Sequence, residues 1–276
     1  MRSIQEIAQN KSFSFGLAAF VIGPVGLHHV GSRTNESEGI VQFDIMKTAG
    51  LIGGIGPEST IEYYRSIISG YREKNPDGSY PSIIVNSVNL TQLVDWMGQN
   101  ELEKVVEYLA IEVEKLVKAG ADFGALASNT PHIVFNEIQR QTSLPLISIV
   151  EATSERVQSL GFKRVALFGT RYTMQGHFYP EVFSKAGIDL IVPNSEEQTY
   201  IHEKYFGELL NNIFLPETRD ALLAIVDNLK ARHGIEGLIL GGTELPLILR
   251  DDERNGVRLL DTTRIHCDRI VRELLA

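Results

Sequence analysis

Two short stretches of this chain carry the residue types that bind and polarise a small anion. Ser128-Asn129-Thr130 ends one apolar run, and Gly242-Thr243-Glu244 ends another. Hydroxyl, amide and backbone N–H groups placed this way hold carboxylates and stabilise negative charge as it develops on a substrate. The residues able to move a proton are His132, Glu151, His177 and Glu244, imidazole and carboxylate being the usual general acids and bases. A serine such as Ser128 needs an adjacent base before it can do the same. Ser, Thr and Asn also serve as plain helix caps. Their occurrence twice, in matching settings, is what points to a site.

Each motif sits in a recognisable frame, Ala121 to His132 for the first and Ile235 to Pro246 for the second. A brief apolar run that breaks into small polar residues reads as a strand buried on both faces. In an open parallel sheet, ligands lie just beyond the carboxyl ends of such strands. From Lys47 onward, strands and helices alternate. Strands are expected at Thr48–Ile52, Ser82–Val88, Gly124–Ala127, Pro145–Val150, Arg164–Phe168, Asp189–Val192, Gly237–Leu240 and Arg258–Leu260. A strongly periodic helix from Glu101 to Ala119 stops at Gly120, a suitable C-terminal glycine. Glycine-bearing strand ends at Gly53 and Gly169 are each followed, after a similar interval, by one of the two motifs. That spacing predicts an internal duplication: two α/β lobes, each with a parallel sheet, facing each other across a cleft.

The two motifs resemble the signatures of the aspartate/glutamate racemases, the cofactor-independent amino-acid racemases. Members of that family typically read Cys-Asn-Thr and Gly-Cys-Thr-Glu; this chain reads Ser128-Asn129-Thr130 and Gly241-Gly242-Thr243-Glu244. Gly53 to Thr60, Gly169 to Met174 and Asp261 to His266 also resemble family loops, so the likeness runs from Met46 to the C-terminus. It implies two flavodoxin-like lobes related by a pseudo-twofold axis, with residues 46–148 and 262–276 forming lobe 1 and residues 149–261 lobe 2. The active-site cleft would lie between them, with the last helix returning to the first lobe. It implies Cα proton transfer on a small acidic amino acid or dicarboxylate, with neither cofactor nor metal. The implied binding residues are Gly54, Asn129, Thr130, Thr170, Thr243 and Glu244. Ser128 and Gly242 fall where the catalytic thiols belong, and His132 follows the first motif as in many members. Arg171 and Lys204 are the candidates for holding a side-chain carboxylate.

With both thiols missing, racemisation is expected to be weak or absent. Gly242 carries no proton, so only a water in its space would serve that face. Restoring Ser128→Cys and Gly242→Cys together should then raise activity. The competing reading is a non-racemising relative that transfers a proton on one face, as in decarboxylation, cyclisation or elimination, or that only binds an acidic metabolite. A dinucleotide site at Gly53 is disfavoured, since Gly-Gly-Ile-Gly-Pro does not fit Gly-x-Gly-x-x-Gly.

Composition narrows the remaining classes. The chain has 276 residues, 43% hydrophobic and 22% charged, enough for a full core. A formal net charge of −9 argues against nucleic acid as a partner. The single cysteine, Cys267, excludes an internal disulfide, fits a cytoplasmic protein and reads as a buried, inert thiol. A homodimer is expected, with no membrane association of the core. Residues 1–45 stand apart. They read as an upstream-start artefact or disordered extension, as a targeting segment that would direct secretion through residues 1–32, or as an ordered extra element.

Overall fold

The computed structural model describes residues 46–75 and 77–276, which belong to one compact unit. The expectations for residues 1–45 lie outside the described residues. Two sheets organise the chain. The first contains β1 (Thr48–Gly53), β2 (Ser82–Ser87), β3 (Phe123–Leu126) and β4 (Leu146–Ile147), in the order β2-β1-β3-β4 and all parallel. Around it lie α1 (Pro57–Lys74), α2 (Leu90–Gly98), α3 (Leu102–Lys118) and α4 (Phe135–Gln141).

After α5 (Ile149–Ser159) the pattern repeats through β5 (Arg164–Gly169), α6 (Arg171–Gln175), α7 (Phe178–Lys185), β6 (Asp189–Ile191), α8 (Ser195–Gly207), α9 (Pro216–His233), β7 (Gly237–Gly241) and α10 (Leu245–Ile248). It closes with β8 (Glu253–Arg254), β9 (Val257–Asp261) and α11 (Thr262–Leu274). The second sheet runs β6-β5-β7-β9-β8, so its first four strands repeat the order of the first sheet. The added β8 pairs antiparallel to β9, which corrects the expectation of a wholly parallel sheet.

Burial explains why these segments are strands. Along β3 and β7 every residue is buried, so both faces are covered by helices and the sequence reads as a continuous apolar run. Helix α11 returns across the chain. Its Cys267, Ile270, Val271 and Leu274 share a core with Tyr63, Ile67 and Tyr71 of α1 and with β1 and β3.

Two local readings change. Pro145 to Val150 is strand only at Leu146–Ile147, because the Ser148 hydroxyl accepts from the Glu151 N–H at 3.3 Å and starts α5 at Ile149. Between β2 and the long helix α3 the sequence reading left a gap, and the structure forms α2 there. Asn89 caps it by accepting from Thr91 N–H at 3.1 Å. Its Leu90, Leu93, Val94 and Met97 fall on one face at helical spacing.

Candidate functional site

The carboxyl ends of the two sheets meet at a cavity of about 60 Å³, lined from both lobes. One water molecule needs about 10–15 Å³ of such space, so the cavity has room for several waters. Ser128, Thr130, Thr170, Thr243 and Glu244 all line it, together with Gly56. Topology is what brings them together, since Ser128 follows β3, Thr170 follows β5 and Thr243 follows β7, the strands at the centre of each sheet.

Glu244 is the polar hub. It is only 4% exposed, yet its carboxylate is surrounded by hydroxyls. Ser59 Oγ lies 2.9 Å from Oε1 and 2.6 Å from Thr243 Oγ1, which in turn lies 2.9 Å from Glu244 Oε2. The Tyr205 phenol donates to that same Oε2. Each hydroxyl has one hydrogen, and all three face the carboxylate or one another. Their remaining lone pairs suit a donor such as a substrate ammonium group. Gly56 makes this contact between lobes possible: at φ 91° it holds a conformation that favours glycine, and a Cβ there would lie 2.9 Å from Glu244 Oε1.

Tyr205 also occupies the space beside Gly242. A Cβ built on residue 242 would lie 2.5 Å from Tyr205 Cε2 and 2.8 Å from its hydroxyl oxygen. A packed ring, rather than the expected water, therefore faces Gly242. Burial, and after it the Glu244 carboxylate, pushes the Tyr205 phenol well above its ordinary pKa, so it stays protonated and acts as a donor.

Opposite, Thr130 and Thr170 hydroxyls lie 3.2 Å apart, and Thr173 joins them at 3.4 Å and 3.2 Å respectively. Thr170 also caps α6, accepting from Thr173 N–H at 3.3 Å. Asn129 is placed differently from its neighbours. Its amide donates to Thr262 Oγ1 at 3.0 Å and accepts from the Tyr179 phenol at 2.7 Å, pinning the loop to α11 and α7. Gly54 sits at φ 81° and donates its N–H to Thr60 Oγ1 at 2.8 Å, shaping the loop before α1.

His132 does not line this cavity. Its Nδ1 donates to the Ser128 carbonyl at 2.9 Å, and its Nε2 accepts from the Ile149 N–H at 3.2 Å. Burial, followed by the neighbouring His266, lowers its pKa to about 3. A neutral ring with both nitrogens engaged supports the Ser128 loop and is not free to carry a proton into the cleft. Glu151 and His177 are exposed and line other depressions. Arg171 is exposed outside the cavity, and Lys204 is paired with Glu208. Among the described residues lining the cavity there is no Lys or Arg. No group of three described His, Cys, Asp or Glu residues is arranged to hold a metal, and no described helix is long and apolar enough to cross a membrane.

Ser59 and Tyr205 are the site residues that sequence reasoning missed. Ser59 stood in a loop already singled out, so an oriented hydroxyl there was a legible signal. Tyr205 had none, because only the packing of α8 brings its ring over Gly242.

Fold and cleft define a two-lobed α/β protein with a cavity where the ends of two similar sheets face each other. The chain belongs to the Asp/Glu/Hydantoin racemase family, which matches residues 52–270. It is 30% identical over 169 residues to the broad specificity amino-acid racemase RacX of Bacillus subtilis (strain 168), covering 59% of this chain and 68% of that protein. The crystal structure of an aspartate racemase homologue from Pyrococcus horikoshii OT3 superposes with a TM-score of 0.70 at 33% identity, covering 84% of this chain and all of that one. Glutamate racemase from Francisella tularensis subsp. tularensis SCHU S4, solved with D-glutamate, shares the fold at a TM-score of 0.60 and 16% identity, over 83% of this chain and 81% of that one.

Proposed function

We propose that this protein binds an amino acid in the inter-lobe cavity and handles its Cα proton without a cofactor. The observation that carries this reading is the convergence of Ser128, Thr130, Thr170, Thr243 and Glu244 on one cavity from both lobes. The hydroxyl ring around Glu244 supplies acceptors for the ammonium group. The Thr130 and Thr170 hydroxyls supply donors for the carboxylate. Held this way, the carboxylate stabilises the negative charge that forms when Cα loses its proton.

Racemisation requires a proton carrier on each face of Cα. Ser128 stands on one side without a free base beside it, since both His132 nitrogens are engaged, and Gly242 supplies no carrier on the other. Racemase activity is therefore weak. Tyr205 favours a second reading beside it: its packed ring closes the Gly242 side of the cavity, which fits chemistry confined to the opposite face of Cα, such as a one-sided proton transfer. NMR of Cα deuterium exchange in D₂O with both enantiomers decides between them. Slow exchange of both supports weak racemisation, and exchange of one enantiomer alone supports the one-face reading. If amino acids neither bind nor exchange, the proposal fails.

A further inference from the structure

We infer that the cavity selects an amino acid with an uncharged, apolar side chain rather than aspartate or glutamate. This deepens the amino-acid reading above and rests on it. Most of the polar groups of the cavity come from the loops at the strand ends and serve the backbone end of a ligand, the others being the phenols of Tyr172 on α6 and Tyr205 on α8. The apolar part of the lining includes Leu93, Val94 and Met97 of α2, Val105 of α3, and Phe206 and Leu210 at and beyond the end of α8. Leu93, Met97 and Val105 belong to one buried core cluster, so this wall is fixed by packing before any ligand arrives.

Charge points the same way. The only charged residue among the described lining is Glu244, which is anionic and already held by three hydroxyls. A second carboxylate in this cavity would face an apolar wall and a like charge with no lining cation to pair with, an arrangement that disfavours the ionised form strongly. The two cations considered from sequence are turned elsewhere. Arg171 is exposed and does not line the cavity, and Lys204 is engaged by Glu208. An aliphatic side chain instead gains roughly fourfold in affinity for each methylene removed from water, about 0.8 kcal/mol converted at 1.4 kcal/mol per tenfold. The apolar wall is thus the part of the cavity that discriminates between side chains, with Val94 and Met97 as its adjustable positions.

Titration calorimetry of the full chain with L- and D-leucine, methionine, aspartate and glutamate tests this. Leucine or methionine should bind at least tenfold more tightly than either acidic amino acid. Val94 is 36% exposed, so Val94→Arg brings a cation to the cavity without burying it in the core. That variant should weaken leucine and strengthen glutamate, each by about tenfold. Met97→Ala should shift preference from leucine toward phenylalanine. Glutamate or aspartate binding as tightly as leucine to the unmodified protein would overturn the inference while leaving the amino-acid reading standing. If none of the eight ligands binds, the amino-acid reading falls and this inference with it.

Discussion

The ring of Tyr205 covers Gly242 so closely that a Cβ on residue 242 would lie 2.5 Å from its Cε2 atom. Tyr205 is 5% exposed and tied to Glu244, so it has little freedom to move aside. Gly242→Cys should overpack the site and lose about 1–3 kcal/mol of stability, the usual penalty for forcing atoms into a packed core. The sequence-level expectation that Ser128→Cys with Gly242→Cys restores racemisation changes accordingly. That double variant should leave Cα exchange close to the unmodified rate. Adding Tyr205→Ala, which vacates the space, should raise it. Equal exchange by the double and triple variants would show that Tyr205 swings away easily.

Thr243 links Ser59 of lobe 1 to Glu244 of lobe 2 through its hydroxyl. Thr243→Val keeps the shape and removes that oxygen. Loss of a hydrogen bond to a charged group costs about 1.5–3 kcal/mol, so amino-acid affinity should fall roughly tenfold to a hundredfold by calorimetry. Thr243→Ser should retain most of it. Unchanged binding in the valine variant would remove Thr243 from the site.

Two buried histidines set an acid limit on stability. His266 lies behind the site with Nδ1 2.8 Å from the Tyr63 phenol and Nε2 2.9 Å from the Ile147 carbonyl. Burial lowers its pKa to about 4, and that of His132 to about 3. In the unfolded chain both titrate near ~6.5. The unfolded state therefore binds more protons than the folded one below that value. The stabilisation is fully present above about pH 6.5 and is lost as pH falls toward 4, at about 1.4 kcal/mol per pH unit for each histidine. Chemical denaturation between pH 7 and 4.5 should show this slope, and His132→Gln should reduce it by about half. A slope unchanged by His132→Gln would mean that His132 is not held neutral.

Cys267 is 2% exposed, and its thiol is pushed well above the ordinary range, first by burial and then by the Asp261 carboxylate. A thiol reagent at pH 8 should leave the native protein unmodified for minutes and label it fully in denaturant. Rapid labelling of the native protein would show that α11 opens locally away from α1.

The sequence by itself determined the alternating strands and helices, the spacing that points to two similar lobes, and the frame of the two polar motifs. These follow from local composition: fully buried strands must be continuously apolar, and the loops that end them must be small and polar. It also contained α2, whose Leu90, Leu93, Val94 and Met97 recur at helical spacing behind an Asn cap. That signal was legible and went unread because the stretch is only nine residues long. Tertiary structure alone decided what the motifs face. Tyr205 meets Gly242 only because α8 packs beside β5, and Ser59 reaches Glu244 only because the lobes close on each other. His132, a plausible acid from its place in the chain, becomes a neutral strut because its ring is enclosed between the Ser128 carbonyl and the start of α5. Contacts between residues far apart in the chain depend on how whole elements pack, and no local pattern encodes that packing. For the same reason the apolar wall opposite the polar motifs emerges only when α2, α3 and α8 are brought to one cavity.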